Sequence, residues 1–255
     1  MNQHQQINES IKCLIDQTLY LADTCLILGQ RNSEWCAHGP ILEQDIAITN
    51  ITLDLIGQAR NFYQYAAKLL VEYEQKQATE DTLAYLRTER EFKNLLICEL
   101  PNGDWANTIL RQFFFSTFQE LLFEEMSHSK DAQLSAIAIK SIKETNYHVK
   151  WSSEWVIRLG DGTAESKDRI IKALDNLWMY TGEFFIPAKY ETIDVVLLNK
   201  KWLQKVKDVF DEATLIIPEK PFMQSGGKLG SHTEHLGFIL SELQYLQRAY
   251  PGAEW

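Results

Sequence analysis

Residues 41–74 hold no proline and a single glycine, and their middle, "IAITNITLDLIGQA", is apolar on nearly every side. A run of this length and pattern reads as a long helix, and one that is apolar all round belongs at the centre of a helical bundle. Pro40 suits the first position of such a helix, and Glu43 and Asp45 favour its positive end. Most of the chain repeats the theme. Helical spacing of apolar residues recurs over about 7–29, 80–99, 104–127, 130–159, 164–185, 200–212 and 232–249. The 12 glycines and 6 prolines fall largely between these segments. In "LGDGT", Gly160 and Gly162 act as stops and Thr163 as an N-cap. The region near 187–231 reads differently. "TIDVVLL" and "ATLIIP" are short β-branched runs that suit extended strands, and "KPFMQSGGKLGSH" is a loop. The expectation is one all-α domain over 1–255: a helical bundle with extra helices and an irregular segment near 187–231.

Charge narrows the function. The chain carries a formal charge of −10, so it repels phosphate backbones, and nucleic acid is not an expected partner. Its densest basic stretch, "NKKWLQKVK", reads as a solvated helix face. No apolar run approaches the roughly 18 residues a membrane helix needs, and "MNQHQQINES" lacks the apolar region of a secretory leader. Cys13, Cys25, Cys36 and Cys98 form no C-x-x-C pair, which suits reduced thiols in a cytoplasmic protein.

One motif raises the question of iron. In "FEEMSHSKD", Glu125 and His128 stand three apart, and on a helix they share a face. Ferritin-like di-iron bundles use two such Glu-x-x-His units and two lone carboxylates. Six histidines are present, but only His128 has a carboxylate three residues before it; Glu34/His38 and Glu144/His148 are spaced by four. One unit where two are needed argues for a polar helix end. If 7–29, 41–74, 104–127 and 130–159 are the core helices, the motif positions fall at Asp54-Leu55-Ile56-Gly57 and Glu144-Thr145-Asn146-Tyr147. Each keeps a carboxylate and has Gly57 or Tyr147 where histidine belongs. Asp23, among Leu19, Tyr20, Leu26 and Ile27, points inward as the lone carboxylate of the first helix; Ser116 is the innermost candidate of the third. These six are vestigial ligand positions on this reading. Asp23 and Asp54 are then expected in a buried polar network, with Asn50, Gln58, Arg60 and Arg111 within reach. His232 and His235 in "SHTEHLG" are too few for a closed zinc site, so Ser231 or Thr233 is read as a helix cap. No nucleophile elbow, Walker loop or dinucleotide fingerprint occurs, so no catalytic residue is assigned.

The blocks "LILGQRNSEWCAHGPILEQDIAITNITLDLIGQARNFYQYAA", "NLLICELPNGDWANTILRQFFF", "IKETNYH", "RLGDGT" and "HTEHLGFILSELQYLQRAYPGAEW" resemble the PaaC family. Its members are the C subunits of bacterial phenylacetyl-CoA oxygenase, the 1,2-epoxidase. The resemblance runs from about Leu19 to Trp255 and is weakest over 187–218. It implies a ferritin-like bundle that serves as structural partner to a separate catalytic A subunit. That A subunit holds the di-iron centre and most CoA contacts, and B, D and E proteins complete the system. The implied reaction is the NADPH- and O2-dependent epoxidation of the phenylacetyl-CoA ring in aerobic phenylacetate breakdown. No cofactor or metal is then expected in this chain, and its partners are the A and B subunits, with a homodimer allowed when it is alone. Ser116 departs from the pattern, since some relatives are expected to carry an acid there. The competing reading is an autonomous metal-dependent oxidase or iron-binding protein on the same bundle.

Overall fold

The computed structural model describes residues 3–219 and 222–253. Helices dominate: α1 (Gln3–Ser33), α2 (Leu42–Glu74), α3 (Glu80–Tyr85), α4 (Trp105–Met126), α5 (Ala132–Gly160), α6 (Ala164–Leu177), α7 (Val195–Glu212), α8 (Glu234–Leu243) and α9 (Tyr245–Ala249). No strand occurs among the described residues, and no described helix is long and apolar enough to cross a membrane. The backbone forms two compact units. The first comprises the chain up to Leu100, Ala188–Thr192 and the chain from Gly226 onward; the second comprises Pro101–Pro187 and Ile193–Ser225.

The first unit is built on the α1–α2 hairpin. Asp23 meets Tyr63, Cys25 meets Gln58, and Gly29 lies against Leu55 and Ile56, so the partners run in opposite directions along two antiparallel helices. The connecting turn needs a glycine. A Cβ at Gly39 would fall 2.7 Å from the Cα of Asp45, whose carboxylate accepts the Gly39 N–H at 2.9 Å. α2 buries Ile48, Ile51, Leu55, Ala59 and Phe62, but it is not enclosed all round: Leu42, Ile46, Leu53 and Ile56 are exposed. The expected helix over 80–99 is also broken. α3 stops at Tyr85 because the next turn starts afresh at Thr88, whose N–H and hydroxyl both donate to the Glu91 carboxylate at 2.7 Å. Two short 3₁₀ turns, Glu89–Glu91 and Leu96–Cys98, complete the segment. The final helix, expected over 232–249, divides into α8 and α9 at Gln244, whose amide donates to the carbonyls of Ala84 and Arg87.

The second unit centres on the antiparallel pair α4 and α5, where Trp105 meets Trp151 and Trp155 edge-on while Gln119 meets Thr145. Asp104, Asp131 and Thr163 cap α4, α5 and α6. Its core is aromatic. Phe114 packs against Trp178, Trp202 and Phe210, Phe118 stacks on Phe184 at 4.8 Å, and the Trp202 indole N–H donates to the Phe114 carbonyl at 3.0 Å. Neither expected strand forms. In "TIDVVLL", Asp194 caps α7, and Val195, Leu198, Trp202, Val206 and Phe210 recur at helical spacing and are buried, so tertiary packing overrides β propensity. In "ATLIIP", Thr214 turns into the left-handed region and the residues beyond it form no ladder. The segment expected as one helix over 164–185 tightens into a 3₁₀ turn at Trp178–Phe185. Three lysines of "NKKWLQKVK" lie paired on α7: Lys201 meets Glu125, Lys205 meets Glu120 and Lys207 meets Asp211.

Two glycines test this packing. A Cβ at Gly160 would fall 2.3 Å from the Ala213 carbonyl oxygen, whereas one at Gly57 meets nothing within 4 Å. Gly160→Ala is expected to cost about 1–3 kcal/mol through overpacking. Gly57→Ala, at an exposed helix position, is expected to gain up to about 1 kcal/mol. Opposite shifts in thermal melting check both.

Candidate functional site

Asp23 is fully buried on α1, and its carboxylate is saturated. The Tyr63 hydroxyl donates to it at 2.6 Å and the Lys93 backbone N–H at 2.8 Å. The Arg87 guanidinium donates through both terminal nitrogens, Nη1 at 3.1 Å and Nη2 more closely. Arg87 comes from the irregular segment after α3. Its Nε is held by the Leu83 carbonyl at 2.6 Å, and its guanidinium lies 4.4 Å from the centre of the Phe92 ring. Burial, reinforced by the Asp23 charge, pushes the Tyr63 phenol well above its ordinary range, so it stays a donor. Burial works against the Arg87 charge, but Asp23 and Tyr63 outweigh it and raise its pKa. The cation that meets this carboxylate is therefore a guanidinium. A metal ion at Asp23 would have to displace Arg87 and strand its charge in the interior.

The other five positions are dispersed in character. Ser116 is buried and accepts from the Gln112 amide at 2.8 Å. Asp54 and Glu144 are half-buried, and Gly57 and Tyr147 are exposed. Asp54 is expected inside because its helix reads as apolar all round. In the structure, however, the inward arc of α2 holds Thr52, Leu55, Gln58 and Ala59, and Asp54 lies beside that arc. Of the network expected around these acids, Asn50 is exposed, and Arg60 reaches Glu80 at 2.8 Å. Gln58 accepts from Cys25, and Arg111 donates to Asn102. The donors that hold Asp23 are instead Arg87, Tyr63 and the Lys93 N–H.

α5 buries Ser141, Thr145, His148 and Ser152, a polar stripe at helical spacing, while α4 buries Gln112, Ser116 and Gln119. The Thr145 hydroxyl donates to the Ser141 carbonyl at 3.0 Å and Ser152 to the His148 carbonyl at 2.6 Å. His148 sits four residues after Glu144, and the 141/145/148/152 spacing is the sequence signal that it is internal. Glu125 and His128 form a polar helix end: both are exposed, α4 stops at Met126, and Glu125 pairs with Lys201. Among the described residues, no three His, Cys, Asp or Glu side chains gather as a metal would require. These residues do not fit a di-iron centre.

The pair in "SHTEHLG" has another use. Thr233 caps α8 by accepting from the His235 N–H at 3.3 Å. Its own N–H and hydroxyl donate to the buried Glu99 carboxylate at 2.8 and 2.6 Å. His232 sets Nδ1 2.6 Å from the same carboxylate and Nε2 2.9 Å from the Phe92 carbonyl. Both ring nitrogens are committed, which leaves neither for a metal.

The family model described as phenylacetic acid catabolic protein matches residues 1–255. The C subunit of the 1,2-phenylacetyl-CoA epoxidase from Escherichia coli (strain K12) is 46% identical over 246 residues, which span 93% of this chain and 97% of that protein.

The Asp23 shell has a measurable signature. Arg87→Met leaves a buried carboxylate without its counter-charge and is expected to cost about 3–5 kcal/mol. Combining it with Asp23→Leu removes the stranded charge and should recover part of that loss, as read by chemical unfolding of the three variants.

Proposed function

The chain belongs to the phenylacetic acid catabolic protein family, and on that premise we propose that it is the structural, non-catalytic subunit of a multicomponent phenylacetyl-CoA oxygenase. The family is ferritin-like and helical. In this reading the chemistry belongs to a separate di-iron A subunit, with a B subunit also in the assembly, and this chain holds the catalytic subunit in its working form. The observation that supports the reading is the filled shell of Asp23: this buried carboxylate, expected as a vestigial ligand, has its acceptor sites taken by Arg87, Tyr63 and the Lys93 N–H. With no substrate-activating group assigned to it, the chain acts through a surface.

A suitable surface exists on α2. Leu42, Ile46, Leu53 and Ile56 line one exposed side of the helix, and Gly57 leaves a flat spot between them and the next turn. Four large aliphatic side chains on a single helix face lose water contact when a second helix packs on them, at about 25 cal/mol per Å² of apolar area. Obligate interfaces bury roughly 2,000 Å² or more and resemble a core in composition.

Reconstitution tests the proposal. The catalytic subunit, the remaining small subunits and the reductase are assayed for phenylacetyl-CoA-dependent NADPH consumption with and without this chain. Activity is expected only with the chain present, and the two bundles should elute together. Leu53→Asp should abolish co-elution while leaving the melting temperature of the isolated chain within a few degrees. Full activity without the chain, or turnover by the chain alone, contradicts the structural role and favours an autonomous oxidase.

A further inference from the structure

We propose that residues 226–253 form a proton-dependent clasp on the first unit, closed by a His232 imidazolium held between the Glu99 carboxylate and the Phe92 carbonyl. The geometry demands the cation. Nδ1 faces Glu99 Oε1 at 2.6 Å and Nε2 faces the Phe92 carbonyl oxygen at 2.9 Å, and the ring is fully buried. Both partners are acceptors, so both ring nitrogens must carry hydrogens.

The Glu99 carboxylate is otherwise occupied by donors: it accepts from the Asn94 amide at 2.8 Å, the Thr233 N–H at 2.8 Å and the Thr233 hydroxyl at 2.6 Å. Other charged groups stand on the neighbouring elements. Glu89, on the Glu89–Glu91 turn, adds a second negative charge. Arg31 of α1 places its guanidinium on the Glu99 backbone carbonyl, at 3.0 and 2.8 Å, not on its carboxylate. Further along the same segment, Lys228 is buried against Glu191 at 3.0 Å. Next to His232 in sequence stand Thr233, bonded to the same Glu99 carboxylate, and then Glu234 and His235. Burial acts to lower the imidazole pKa, but Glu99, the Phe92 carbonyl and Glu89 raise it above the ordinary value of 6.5.

The sign follows from that direction. A folded-state pKa above the free value stabilises the closed clasp fully below the ordinary imidazole range, and the contribution is lost as pH rises through the raised value. The neutral ring keeps one N–H, so one of the two buried acceptors then faces a lone pair. The closed segment displays Phe238, Tyr245 and Leu246 to solvent, so the proton controls how firmly that surface is held.

The test uses the full chain. Nitrogen-15 NMR of the histidine rings should show both His232 nitrogens protonated at pH 6.5. After correction for intrinsic rates, amide exchange over 226–253 relative to α4 should rise by about tenfold as the ring deprotonates, the factor produced by losing one charge-assisted hydrogen bond. Glu99→Gln should lower the His232 midpoint by about one pH unit or more. Should that variant fail to fold, the wild-type ring titration and exchange profile still decide. A neutral His232 at pH 6.5, or exchange over 226–253 that does not follow the ring titration, overturns the proposal.

Discussion

A carboxylate without solvent is tolerable only if something supplies the missing donors, and at Asp23 that something is Arg87. The requirement organises the first unit. Asp23 belongs to α1, Tyr63 to α2, and Arg87 and Lys93 to the segment after α3, so satisfying one charge fixes three parts of the chain at once. The same device recurs. Glu99 collects Asn94, His232 and Thr233, and Lys228 meets Glu191. The Asp23, His232 and Lys228 pairings join residues remote in sequence. Such pairs add little net stability over an apolar equivalent, but breaking one is expensive. Their effect is on register: a wrong packing strands a charge.

That economy bears on function. A di-iron bundle places carboxylates and imidazoles around two cations. In this chain an internal guanidinium and a phenol take up the capacity of Asp23, and Gly57 and Tyr147, expected in the core, are exposed. The second unit has a different interior. Phe114, Phe118, Trp178, Phe184 and Trp202 fill it, and in the polar stripe of α4 and α5 the Thr145 and Ser152 hydroxyls donate to backbone carbonyls while Ser116 accepts from the Gln112 amide. The aliphatic side of α2, with Leu42, Ile46, Leu53 and Ile56, is left exposed.

Much of this is legible in the sequence. Apolar spacing locates the long helices, and Asp45, Asp131 and Thr163 stand at or near the starts where their chemistry is useful. The misreadings share a cause. An all-round apolar α2 looks enclosed because a stripe covered by the fold and a stripe left free have the same composition. That pattern puts Asp54 inside, yet it lies at the edge. β-branched "VVLL" reads as strand by propensity, and only the burial of Trp202 and Phe210 further along α7 reveals the helical register. Arg87, the residue that matters most to Asp23, is hidden because its segment reads as continuous helix. The 3₁₀ turn that aims it depends on the Thr88–Glu91 capping box, a signal present in the sequence as Thr-x-x-Glu. His232 carries a helix-start signal, but its partner Glu99 lies far away in the chain and spacing cannot show it.

The central claim is that this chain carries no working di-iron site of its own. Metal analysis tests it most directly. The isolated chain is expressed with excess iron, loaded anaerobically with ferrous ion, passed through gel filtration and assayed for bound metal. Well under one equivalent per chain is the expected result. Two irons per chain that survive the column would mean that Arg87 yields Asp23 to a metal, and would contradict the claim.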